Sequence, residues 1–122
     1  MRRTPKNRSD REVAKSIALQ LPDVELCSHH GTMDIRVHNK VFATFPAQSK
    51  AVVLKCTAEN LGALIEQNPE GFSKGRGDTS VHVDLEHIDR ATLQALLIES
   101  WVLSAPAKLR ELYKGQLAKR IR

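Results

Sequence analysis

Residues 33–46, MDIRVHNKVFATFP, limit what this chain can fold into more than any other stretch. Met33, Ile35 and Val37 alternate with Asp34, Arg36 and His38, the period-two pattern of a strand with one buried face. Residues 41–45 then run almost continuously apolar, so the stretch reads as two short strands folded back on each other. If His38 and Asn39 form a two-residue type I′ turn, Val37 faces Lys40 and Ile35 faces Phe42, which puts Phe42 in the core. A three-residue loop would instead bury Val41 and Phe45. The first register is favoured, because Asn and His tolerate the positive φ that both turn positions need.

The flanking sequence supplies helices and further strands. Ser9 and Glu12 have the spacing of a capping box, and Val13, Ala14, Ile17, Ala18 and Leu21 then recur at helical spacing until Pro22. Residues 23–32 read as a connection. Residues 51–56 form a third strand, and Thr57 caps a helix carrying Leu61, Leu64 and Ile65. The longest loop is NPEGFSKGRGDT, with its proline and three glycines. Val81, Val83 and Leu85 alternate with Ser80, His82 and Asp84 as a fourth strand. Asp89 opens the strongest helix, on which Leu93, Leu96, Leu97 and Trp101 share a face up to Pro106. A last basic helix presents Leu109, Leu112, Tyr113 and Leu117 on one side. The order α-β-β-β-α-β-α-α predicts an α+β fold, an antiparallel β-sheet covered on one face by helices.

A chain of 122 residues with 41% apolar and 27% charged residues suits one compact domain. The domain is expected over 9–114, between a basic, flexible end at 1–8 and a basic end at 115–122. No stretch approaches a transmembrane helix and no signal peptide pattern opens the chain, so the expectation is a cytoplasmic protein with no membrane partner. Residues 1–15 hold six Lys/Arg against two acids, and 107–122 hold six against one. The middle is acidic, with seven basic and eleven acidic residues. Attraction to a polyanion therefore comes from the ends, unless the fold clusters a few central cations.

Read in order, IALQLPDVEL, HHG, IRVHNKVFATF, VVLKC, VHVDLEHID and LIESWVLSAPAKL resemble the MmcQ/YjbR family, whose members share a CyaY-like fold. The resemblance spans most of residues 17–109. It implies DNA binding through a double wing of two protruding tips, one at His38-Asn39-Lys40 and the other in the loop from Lys74 to Gly77. Asn39 stands where the family usually has glycine, and the bulky aromatic that commonly opens the fourth strand is missing around Ser80 and Val81.

The nucleic-acid-binding candidates are thus Arg36, Asn39, Lys40, Lys74 and Arg76. Phosphate contacts need flexible cations and free backbone amides, and SKGRG supplies both residue types. The implied partner is double-stranded DNA, bound with low sequence specificity by a monomer or weak dimer. No metal site is expected: Cys27, Cys56, His29, His30 and His82 hold the right atoms at spacings that match no usual ligand pattern. Iron in a CyaY-like fold would call for acids on the first helix, where this chain has Arg11 and Lys15. No catalytic motif or cofactor signature is present, so the protein reads as a non-enzyme. His82 and Asp84 share one strand face, a common surface arrangement. The alternative function is a protein- or ligand-interaction domain that uses the groove between sheet and helices.

Overall fold

The computed structural model describes residues 9–113. Helix α1 (Asp10–Leu19) leads into a meander of β1 (Val24–His29), β2 (Thr32–Val37), β3 (Lys40–Phe45) and β4 (Ala51–Lys55). Helix α2 (Ala58–Gln67) precedes β5 (Phe72–Lys74) and β6 (Ser80–Asp84), and a 3₁₀ turn (Leu85–His87) leads to α3 (Arg90–Ser104). Residues 107–113 are again helical. The strands form one sheet in the order β1-β2-β3-β4-β6-β5, antiparallel throughout.

The caps form where side-chain oxygens can meet orphan amides. Ser9 accepts from the Glu12 amide, Thr57 from Asn60 and Asp89 from Thr92. The hydrogen bonds from Thr92 hold the Asp89 carboxyl below the usual carboxylate range. Glu12 spends its carboxylate on Lys15, at 3.8 Å, rather than on the cap.

Two rows of cross-strand partners explain the layers. Leu26, Ile35, Ala43, Leu54 and Val81 lie in register on the face beneath the helices. Cys27, Asp34, Thr44, Val53 and His82 form the row that alternates with them, on the face that carries no helix among the described residues. Helix α3 packs over β3 and β4, with α1 beside it. The core centres on Trp101, Phe42, Phe45, Ile35, Leu54 and Leu97, each at most 1% exposed. Burying each aliphatic or Phe side chain of this set stabilises the fold by about 1.5–3 kcal/mol.

Three sequence expectations change. Residues 23–32 are not a connection: they contain β1 and a second tight turn, with His30 at φ 51° and Gly31 at φ 85°. Only Val24 and Cys27 of β1 are even half-buried, so the strand lacks a clear period-two signal. The long loop contains β5, whose Phe72 enters the core at 4% exposure. Leu112 is 64% exposed, so it leaves the stripe that Leu109 and Tyr113 share; Leu117 lies outside the described residues.

The 38–39 turn forms as expected, yet the register beyond it differs. His38 and Asn39 have φ 48° and 71°, and Val37 pairs with Lys40. Ile35, however, faces Ala43 rather than Phe42, because the ladder shifts between Ile35 and Arg36. That bulge sets two β3 residues against one and turns both Phe42 and Ala43 inward, so Phe45 is buried as well. Asn39→Gly is expected to be neutral or stabilising. Asn39→Val should cost about 1–2 kcal/mol, because a branched residue resists the left-handed region; thermal denaturation of the two variants checks both.

Arg11 has a structural role that its place among basic residues concealed. Its guanidinium donates to the carbonyls of Gly31 at 2.9 Å, Pro46 at 2.5 Å and Ser49 at 3.2 Å. It thereby ties α1 to the β1–β2 turn and to the β3–β4 connection. Among the described residues, no helix is long and apolar enough to cross a membrane.

Candidate nucleic-acid interface

Antiparallel pairing carries the two predicted tips to one end of the sheet. Ala43 opposes Leu54 and Thr44 opposes Val53, so the start of β3 lies beside the end of β4. Lys55 at that end opposes Ser80, where β6 begins, and Val81 opposes Lys74, where β5 ends. The 38–39 turn and the loop at 75–79 therefore leave the sheet in the same direction.

Between them the sheet opens. Beyond the Ala43–Leu54 pair the direct β3–β4 ladder stops, and Ser100 from α3 replaces it. Its hydroxyl accepts from the Lys55 amide at 2.8 Å and donates to the Phe42 carbonyl at 2.5 Å. The bulge that turns Phe42 inward thus leaves a gap in the ladder, and one buried hydroxyl satisfies both strands across it. On the other face lies a groove of about 730 Å³, whose lining includes Asp34, Val41, Thr44, Val53, Lys55 and Arg76. Its volume is in the range of small-ligand sites. Core side chains fill the space between sheet and helices.

The five predicted residues gather at this end but do not share one surface. Arg36 stands on the open face, 3.8 Å from the Asp34 carboxylate, with its Nε buried and lacking a hydrogen-bond partner. Asn39 is exposed at the turn. Lys40 pairs with Val37, and Lys74 with Val81, so both side chains depart on the helix-covered side. Lys74 is held 3.0 Å from Asp78. Arg76 is exposed and lines the groove.

Lys55 joins these cations and was missed in the sequence. It follows Val53 by two residues, so strand alternation alone points it to the open face, beside Arg76 in the groove lining. Among the described residues, Lys40, Lys55 and Arg76 have no carboxylate within ion-pair distance.

The amides of Gly75, Arg76 and Gly77 are not free for phosphate. Ser80 Oγ accepts from the Arg76 amide at 2.8 Å and the Gly77 amide at 3.4 Å, while the Ser80 carbonyl accepts from Gly75 at 2.9 Å. The loop is folded around Ser80. A Cβ on Gly75 would lie 2.4 Å from that hydroxyl oxygen, which is why the position needs glycine. Side-chain cations, not backbone amides, are what this tip presents.

The remaining sequence candidates are dispersed. Cys56 is buried and desolvation pushes its thiol up, whereas Cys27 is half-buried on β1. The His29 and His30 rings meet edge-on at 4.3 Å. Asp84 lies 3.1 Å from His87 Nδ1 rather than against His82, and the Glu86 amide is the main cause of its lowered pKa. Among the described residues, no group of three His, Cys, Asp or Glu side chains is placed to hold a metal ion.

Comparison with known proteins completes the description. No curated protein matches the chain at a significant level. The fold is similar to the crystal structure of a Deinococcus radiodurans protein with a DUF419 domain. The TM-score is 0.69 at 18% identity, over 79% of this chain and 78% of that one, a likeness of fold alone. The YjbR family model matches residues 19–103, a span that includes the whole meander, both tips and nearly all of α3. The chain belongs to the YjbR family.

Proposed function

We propose that this protein is a non-enzymatic, cytoplasmic DNA-binding protein that grips duplex phosphates with the two tips at one end of its sheet. The observation that carries the reading is that the 38–39 turn and the 75–79 loop leave the sheet together, with Lys40 and Arg76 uncommitted to any described carboxylate. Lysine and arginine side chains at two protruding points can each neutralise a phosphate, releasing its counterions. Asn39 shapes the first tip, and Arg36 stands behind it. Lys74 contributes on exchanging Asp78 for phosphate, an ion pair that costs little to break because both side chains are exposed. Contacts of this kind fix position on the duplex and carry no base information, so sequence specificity is low.

A titration of the labelled protein with duplex DNA at two salt concentrations tests the reading, since NMR shifts also locate the contact. Reversing Lys40, Lys74 and Arg76 to Glu should leave stability within about ±0.5 kcal/mol per site. It should weaken binding and lower the salt slope by about one unit per lost phosphate contact. Deletion of 1–8 and 115–122 is the control, because basic ends bind polyanions by themselves. A triple variant that binds like the parent, beside a truncated protein that does not bind, assigns the affinity to the ends.

The groove supports a second reading, a domain that takes a protein segment or small ligand on the open face of the sheet. Binding there by Val41 and Val53 would persist as salt rises, whereas phosphate gripping would not.

A further inference from the structure

The sheet has two unequal edges. β5 is three residues long and ends in Lys74, the short and charged form that discourages strand addition. β1 is six residues long, VELCSH, with no proline, no lysine and no register shift against β2. Its Leu26 is 40% exposed. Among the described residues, this edge has no proline, lysine or bulge to discourage strand addition, and its acid is Glu25.

Hydrogen-bond alternation shows which groups it offers. The two-residue turn closes on the His29–Thr32 pair, so His29, Cys27 and Glu25 exchange bonds with β2. Val24, Leu26 and Ser28 then direct their amides and carbonyls away from the sheet.

We propose that β1 is a self-association edge, to which a second copy of this chain adds its own β1 antiparallel, centred on Cys27. A two-fold axis normal to the sheet keeps the helices of both copies on one side only if each residue faces a residue of its own strand face. Centring on Cys27 meets that condition and sets Glu25 opposite His29 twice, carboxylate accepting from imidazole N–H. Leu26 then opposes Ser28 twice, giving about four new backbone hydrogen bonds. Centring on Leu26 would set Glu25 against Cys27 and forfeit the acid–imidazole pairs. This self-complementarity selects a second copy over an unrelated strand. The contact is small, so the dimer is weak and concentration-dependent.

Sedimentation equilibrium on the full chain tests it. The mass should rise with concentration from 13.6 kDa towards twice that value. Leu26→Lys should hold it at the monomer, while Leu103→Lys, on α3 at a similarly exposed 44%, should not. Should Leu26→Lys fail to fold, the surface variant Glu25→Arg serves: it should weaken association roughly fivefold by losing two cross-strand pairs. Exchanging the partners, Glu25→His with His29→Glu, should restore it. A short bismaleimide should link two copies through Cys27, and Cys27→Ser should abolish the link, since Cys56 is only 3% exposed. A protein that stays monomeric at every concentration overturns the proposal. So does association indifferent to Leu26→Lys or Glu25→Arg, or a cross-link that survives Cys27→Ser.

Discussion

Trp101→Ala is expected to destabilise the protein by about 3–5 kcal/mol. Trp101 is 0% exposed, and its indole Nε1 donates to the Pro22 carbonyl at 3.0 Å. Its ring also meets Tyr113, with centroids 4.8 Å apart. Alanine would therefore open a cavity, leave the Pro22 carbonyl beyond α1 without its donor and remove the ring against which Tyr113 packs. Denaturant melts should show a lower midpoint. Trp101→Phe separates the contributions, since it keeps most of the packing and removes only the hydrogen bond, at about 1 kcal/mol. A Trp101→Ala variant that melts like the parent would contradict the packing of α3 described above.

Ser100→Ala should cost about 2–4 kcal/mol although it deletes one oxygen atom. The Ser100 hydroxyl is 0% exposed and is shared by the Lys55 amide and the Phe42 carbonyl, on the two strands that border the cleft. A methyl group there leaves a backbone donor and an acceptor unsatisfied, each costing about 1–3 kcal/mol less whatever relaxation recovers. Hydrogen exchange gives a local readout: the Lys55 amide should lose protection by more than the global change in stability explains. In the DNA-binding reading the same variant loosens the spacing of the two tips, so affinity should fall with little change in salt slope. Equal protection in parent and variant would show that the two strands close the gap without Ser100.

The local choices in the sequence were legible because they depend on near neighbours. Capping at Ser9, Thr57 and Asp89 needs only an oxygen three residues before an orphan amide. The 38–39 turn needs two residues that accept positive φ, and His38 and Asn39 both do so. Helical and period-two patterns, with the apolar runs at 41–45 and 51–56, recovered α1, α2, α3, β2, β3, β4 and β6, and with them the α+β class. Edge elements were another matter. β1 buries little on either face and β5 is three residues long, so neither carries enough periodic signal to separate it from a loop.

What the tertiary structure decided concerns groups brought together from distant parts of the chain. The Phe42 bulge answers to Ser100, 58 residues away, and no local pattern at 41–45 announces it. Arg11 read as one cation of a basic end, until the fold brought the carbonyls of residues 31, 46 and 49 within its reach. The candidate interface divides along the same line. Sequence alone determined which residues stand at the two turns, since turn chemistry is local. Strand pairing decided that both turns leave one end of the sheet, that Lys40 and Lys74 depart on the side opposite Arg36, and that Ser80 takes up the amides of Gly75, Arg76 and Gly77. A strand's own sequence fixes which of its side chains alternate, but the direction in which a face looks depends on what packs against it, and that is settled only when the whole sheet assembles.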